Sequence, residues 1–175
     1  YYVRDVDPAV VKSVWARVVK ASEGAALATE TTVSNEITGG VYSMLGNDAL
    51  AEVMHRNLSV AGGPKWTPAE TAWATGLQTS LEVKRPIGSA SQVMPISRGG
   101  DGGGSTDVSD ISWVSPTVGL STATWVPGTP AHSWQAVAAS GMSIGAKGGV
   151  VAAKTMALTA AELFRSPQTM ADAKA

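Results

Sequence analysis

The chain has 175 residues, 44% of them apolar and 15% charged, with a formal net charge of −1. That composition is too apolar for a disordered polypeptide, and so small a charge leaves no electrostatic footprint for nucleic acid or an anionic membrane surface. Cysteine is absent, which removes disulfides, thiolate metal sites and a cysteine nucleophile and fits a reducing, cytoplasmic setting. No uninterrupted apolar run reaches the roughly 18–20 residues of a membrane span.

The opening run Tyr1-Tyr2-Val3-Arg4-Asp5 reads as the second half of a β-strand, without a signal-peptide pattern. A chain that starts inside a strand reads as a fragment or a processed piece. Asp7-Pro8 is a helix start, Asp as N-cap and Pro at the first helical position. Val10, Val11, Val14, Trp15, Val18 and Val19 give an apolar stripe to about Ala21, and Gly24 is the candidate stop. Residues Thr31 to Thr38 alternate and carry β-branched side chains, so they predict a strand ended by Gly39-Gly40. Strand, helix, strand within this span predicts half of a split α+β sandwich.

Asn47 caps a second helix with Leu50, Val53, Met54 and Leu58 on one face, ending at Gly62-Gly63. Thr67-Pro68-Ala69-Glu70 is a capping box, and its helix runs through Trp73 and Leu77 to about Leu81. Residues 82–101 show no period and are punctuated by Pro86, Gly88, Pro95 and Gly99, which predicts loop. Val108 to Trp113 and Gly119 to Val126 are strand candidates. Ser133 to Ala139 predicts a short helix. Ala146 to Phe164 predicts a long one whose Gly148, Gly149, Ala152 and Ala153 imply close packing on a sheet. Ser166-Pro167 ends it, and the tail is expected to be frayed or marginally helical. The predicted fold class is α/β.

Two loops carry the candidate chemistry. Gly102-Gly103-Gly104-Ser105-Thr106-Asp107 offers N–H groups, hydroxyls and an acid, suited to receiving a carboxylate or amide. It lacks the lysine of a phosphate loop. Gly128-Thr129-Pro130-Ala131-His132 sets an imidazole just before a helix, as a metal ligand or polarising group, or else as a surface or capping histidine. Zinc generally takes three or four ligands, and two histidines with no cysteine leave carboxylates to complete any set. His55, within the second helix, has no His or acidic partner at i±4 and reads as structural. Asp107 could orient a metal-bound histidine or make an Asx-turn, and Asp110 reads as a turn or cap. A Ser-His-Asp site from Ser105 or Ser133, His132 and Asp107 lacks the G-x-S-x-G elbow. Trp125 and Trp134 flank the His132 loop.

The runs Gly103-Gly104-Ser105-Thr106-Asp107-Val108-Ser109-Asp110-Ile111-Ser112-Trp113-Val114, Pro116-Thr117 and Gly128-Thr129-Pro130-Ala131-His132-Ser133-Trp134-Gln135 resemble the C-terminal part of the zinc-dependent aminoacylase and glutamate-carboxypeptidase family of metallohydrolases. Residues 1–45, including Thr38-Gly39-Gly40-Val41-Tyr42-Ser43, are similar to the end of that family's inserted dimerisation domain. The resemblance implies residues 1–45 as the back half of an α+β, ferredoxin-like dimerisation (lid) domain. It implies 46–175 as the C-terminal part of a di-zinc exopeptidase-like α/β catalytic domain.

The implied activity is hydrolysis of an amide between an acyl or aroyl group and an amino acid, as in p-aminobenzoyl-glutamate, by metal-activated water. Gly103, Gly104, Ser105 and Thr106 would receive the substrate's carboxylate side. His132 would be the last metal ligand and Asp107 would orient a metal-bound imidazole. The metal would be zinc, with manganese or cobalt as alternatives. The family's other ligands and its general base would lie upstream of Tyr1, so no catalytic residue is assigned here and the chain alone is expected to be inactive. Implied partners are a small N-acyl amino acid and a second copy or a related subunit, with neither nucleic acid nor membrane. The rival reading is a non-catalytic binding or assembly protein that uses the glycine loop for interaction.

Overall fold

The computed structural model describes residues 1–97 and 106–174. Every regular element among them is helical: α1 (Pro8–Ala28), α2 (Asp48–Ala61), α3 (Pro68–Gln78), α4 (Val108–Ser112), α5 (Trp134–Ser140), α6 (Ser143–Arg165) and α7 (Pro167–Lys174), with a 3-10 turn at Ile87–Ser91. The chain divides into two compact units, Tyr1–Leu45 with Gly102–Ser115, and Gly46–Asp101 with Pro116–Ala175.

The α/β expectation is therefore overturned: no strand and no sheet occur among the described residues. A β-strand exists only through a partner that takes its N–H and C=O groups, and none of the candidates finds one among the described residues. Residues 1–5 run without a partner strand, and the Asp5 carboxylate accepts the Asp7 N–H at 2.9 Å. Val108–Ser112 closes into α4, where the Ser109 and Ser112 hydroxyls donate to the carbonyls three residues back. In 119–126 the Thr124 N–H turns back to Thr122 O at 2.9 Å. Thr31 to Thr38 is irregular chain leaving α1. The β-branched residues that suggested strands report only a fit to half-buried surface.

In the first unit, Asp7 caps α1 by accepting the Ala9 N–H at 2.7 Å. Gly24 does not stop the helix, because a single glycine costs only about 1 kcal/mol. The helix ends at a Schellman motif. The Thr31 N–H reaches Ala26 O at 2.9 Å and the Glu30 N–H reaches Leu27 O at 3.4 Å, with Glu30 at φ +54° where glycine is usual.

The second unit is a helical assembly in which α2, α5 and α7 pack on α6, and α2 also contacts α7. The starts of α2 and α3 are as the sequence predicts. Asn47 accepts the Leu50 N–H at 2.9 Å, and Thr67 and Glu70 form a reciprocal capping box. Asn47 also donates to Ala173 O at 2.7 Å, so one side chain serves the start of α2 and the end of α7. Of the two expectations for the tail, frayed or marginally helical, the helical one holds over Pro167–Lys174, secured by that bond and the burial of Ala173.

Leu50, Val53 and Met54 of α2 are buried, as are Val151, Thr155 and Thr159 of α6. The Thr159 hydroxyl meets Met54 Sδ at 3.4 Å. A separate cluster joins Ala74, Leu81, Val126 and Ile144, with Trp66, Trp73, Leu77 and Ile87 packed around it. Ile144 is 1% exposed, and burying such a side chain stabilises by about 1.5–3 kcal/mol.

The small residues of α6 allow two close approaches, neither to a sheet; a Cβ on Gly145 would lie 2.4 Å from Ser140 O at the end of α5. A Cβ on Gly148 would lie 2.5 Å from Ala123 O, and Gly148 O accepts the Thr122 hydroxyl at 2.9 Å. Gly149 and Ala153 lie on the exposed side of the same helix, as do Val150 and Phe164. No single described helix is long and apolar enough to cross a membrane.

Candidate functional site

The loop bearing His132 grows out of the second unit's core. Val126 is 1% exposed, and the Thr129 N–H donates to its carbonyl at 3.0 Å, closing a turn. Gln78 Nε2 donates to Pro127 O at 3.1 Å and to Arg85 O at 2.6 Å, tying the turn to α3 and the chain beyond it. Gly128 sits at φ +96°, and a Cβ there would lie 2.2 Å from Val83 O, so both conformation and space demand glycine. Ser133 then caps α5, donating to Pro130 O at 2.8 Å and accepting the Ala136 N–H at 3.2 Å.

Between these anchors His132 is held at φ +57°. That conformation costs an ordinary residue about 1–2 kcal/mol, although histidine visits it more often than most. An exposed imidazole carried by a strained backbone position on a braced loop is an observation that points toward function. Trp134 beside it is 62% exposed, while Trp125 Nε1 donates to the Ser140 hydroxyl at 2.7 Å. His132 can offer one ligand nitrogen or one proton site. Among the described residues no three His, Asp or Glu side chains converge where they could hold a metal ion. Those residues by themselves do not fit a zinc site, and no metal-dependent step follows from their geometry.

The first unit contains a cleft of about 540 Å3 lined by Pro8, Tyr42, Asp110 and Trp113. Four polar contacts assemble it from distant segments. Asp110 Oδ1 accepts the Tyr42 N–H at 2.9 Å, and Trp113 Nε1 donates to Ser43 O at 2.9 Å. The Leu45 N–H donates to the Ser112 hydroxyl at 2.8 Å, and the Ser43 hydroxyl donates to Val6 O at 3.1 Å. The Tyr42 and Trp113 rings lie 6.1 Å apart, tilted at 58° to one another. Both rings remain about half exposed, so each keeps surface to offer a ligand.

Thr106 and Asp107 belong to this first unit and are exposed. Thr106 Oγ1 accepts the Val108 N–H at 3.2 Å, and Asp107 stands at the start of α4 without a side-chain capping bond. Gly103, Gly104 and Ser105 lie outside the described residues. His55 is half-buried in α2, in keeping with its structural reading. The grouping of Tyr42, Asp110 and Trp113 escapes sequence reasoning. Tyr42 and Asp110 stand 68 positions apart, which leaves no local signal that they meet.

Among the described residues the most perturbed carboxylate is elsewhere and is structural. Glu70 is held down to about 2 by the Lys147 ammonium, the Ser143 hydroxyl and the Thr67 N–H. Its contacts to Lys147 Nζ at 2.6 Å and Ser143 Oγ at 2.5 Å fasten the start of α3 to the start of α6. Glu162 is lowered by Asn57 and Arg56, which donate to it at 2.8 Å and 2.6 Å and join α2 to α6.

Among known proteins, the chain is 33% identical, over 94% of its length, to the B subunit of p-aminobenzoyl-glutamate hydrolase from Escherichia coli (strain K12). It spans 39% of that relative's length. The kinship agrees with the resemblance carried by the paired loop motifs. No protein-family model matches the chain, and no solved structure does.

Proposed function

We propose, from the kinship of this chain with the B subunit of p-aminobenzoyl-glutamate hydrolase, that it is part of an amidohydrolase cleaving the bond between an acyl or aroyl group and an amino acid. The observation that carries the reading is the identity along nearly the whole chain. The braced, strained His132 supports it, because a group that must meet a reacting centre is best held on a rigid loop. In this reading His132 contributes one imidazole to a divalent-metal centre whose other ligands come from polypeptide equivalent to the rest of the relative's length. Thr106 and the glycines before it receive the substrate's carboxylate side, and Asp107 acts through position rather than chemistry. The small-molecule substrate is an N-acyl amino acid of the p-aminobenzoyl-glutamate kind. The active form is an assembly with a second copy or a related subunit, working in the cytoplasm.

The test has two arms. The purified chain with added zinc is expected to release no p-aminobenzoate from p-aminobenzoyl-glutamate. The chain produced with polypeptide covering the rest of the relative's length is expected to hydrolyse it. His132→Ala should then lower kcat/KM by roughly a hundredfold or more, the usual scale for a group at the reacting centre. Hydrolysis by the chain alone would overturn the assignment of the remaining ligands. No hydrolysis by the assembled protein would favour a non-catalytic binding role.

A further inference from the structure

We infer that the cleft between Tyr42, Trp113 and Asp110 is a subsite for a neutral aromatic amine, in which the ring lies against the two aromatic side chains and the amine N–H donates to the Asp110 carboxylate. The inference rests on the amidohydrolase reading above and deepens it, because it says where the aroyl end of an aminoaroyl amino acid lies, apart from the Thr106 loop that receives the carboxylate side.

Three features of the cleft select that chemistry. It is an open depression of about 540 Å3 whose two rings stay half exposed, so it offers a ring a surface to lie against rather than an enclosure. Among the described residues that line it, two of four are aromatic, and the tilted Tyr42 and Trp113 rings offer faces and edges to a third ring. The fourth wall is a carboxylate, an acceptor with no hydrogen to give when ionised. One of its oxygens, Oδ1, accepts the Tyr42 N–H at 2.9 Å and thereby fixes the carboxylate against the aromatic wall. The second oxygen is the acceptor for the ligand.

Charge decides the orientation. A glutamate end carries two carboxylates and would be repelled by Asp110, whereas an arylamine is uncharged near neutral pH and supplies two N–H donors. The subsite therefore takes the aminophenyl end and leaves the amide and the amino acid pointing out of the cleft. A plain phenyl ring fills the same space but gives the second carboxylate oxygen no donor. Sites built to hydrogen-bond a ligand group discriminate strongly against analogues that lack it.

The test titrates the chain with 4-aminobenzamide, benzamide and tetramethylammonium, following backbone amides and tryptophan indole N–H signals by NMR. The expected result is saturable shifts at Tyr42, Asp110 and the Trp113 indole with 4-aminobenzamide, and at least tenfold weaker binding of benzamide. Asp110→Asn keeps an Oδ1 acceptor for the Tyr42 N–H, so the cleft stays assembled. It should bring 4-aminobenzamide down toward the benzamide affinity. Trp113→Phe should weaken both ring ligands together. Equal affinities for the two benzamides, shifts confined to other residues, or tighter binding of tetramethylammonium would overturn the inference. In the assembled protein, hydrolysis of p-aminobenzoyl- and benzoyl-glutamate with the same kcat/KM would remove the subsite and leave the amidohydrolase standing. Selective arylamine binding without any hydrolysis would do the reverse.

Discussion

Two adjacent glycines in α6 should respond to the same substitution with opposite signs. Gly149→Ala places a methyl where no atom lies within 4 Å, on the exposed side of the helix. Only the intrinsic preference acts there, and it should stabilise the chain by about 0.8–1 kcal/mol. Gly148→Ala receives the same preference but puts its Cβ 2.5 Å from Ala123 O and 2.8 Å from Thr124 Cγ2. The backbone carbonyl cannot swing away as a side chain would, so residues 122–124 must lift off the helix. Overpacking of this kind costs about 1–3 kcal/mol. Losing the 2.9 Å bond from the Thr122 hydroxyl to Gly148 O adds about 1 kcal/mol. After the helix preference is subtracted, Gly148→Ala should destabilise by about 1–3 kcal/mol. Urea titrations followed by far-UV circular dichroism would read both changes, and thermal midpoints should move about 2–4 °C per kcal/mol for a chain of this size. If Gly148→Ala proved as stable as Gly149→Ala, the close approach of 122–124 to α6 would be wrong.

Other expectations concern charge and helix ends. Glu70 has its pKa lowered from 4.5 to about 2 in the folded chain, so its contribution is present above pH 4.5 and is lost as pH falls toward 2. Acid titration should show stability declining through that window, and Glu70→Gln should flatten the decline. Glu162 is shifted the same way, so Glu162→Gln should act in the same direction. Glu30→Gly should stabilise the end of α1 by about 0.5–1 kcal/mol, because glycine occupies φ +54° without the strain an L side chain incurs. A lower thermal midpoint for that variant would refute the Schellman assignment.

Helix starts are legible because their signals are local. Asp7-Pro8, Asn47 and the Thr67-to-Glu70 box each satisfy N–H groups within three residues, and the chain places all three where expected. The long apolar run of α6 is equally readable from its own periodicity. The end of α1 escapes prediction because the αL stop falls on Glu30, a residue whose chemistry does not announce it, rather than on Gly24. The strand expectations fail for a different reason. Val108–Ser112 has residues that suit either state, and nothing local supplies the partner that would make it a strand.

The candidate chemistry divides along the same line. Residue order alone is enough to mark a glycine-rich loop and a histidine loop as the features to watch, and the resemblance they carry leads to a hydrolase component related along most of the chain. Folding is needed to show that His132 is exposed and strained between a glycine that must be glycine and the cap of α5. Folding also brings Asp110 to the backbone of Tyr42 and the indole of Trp113 to Ser43. Caps and periodicities are written in residues a few positions apart. A cleft whose walls are 70 positions apart along the chain exists only once packing and hydrogen bonds have offset the entropy of bringing them together.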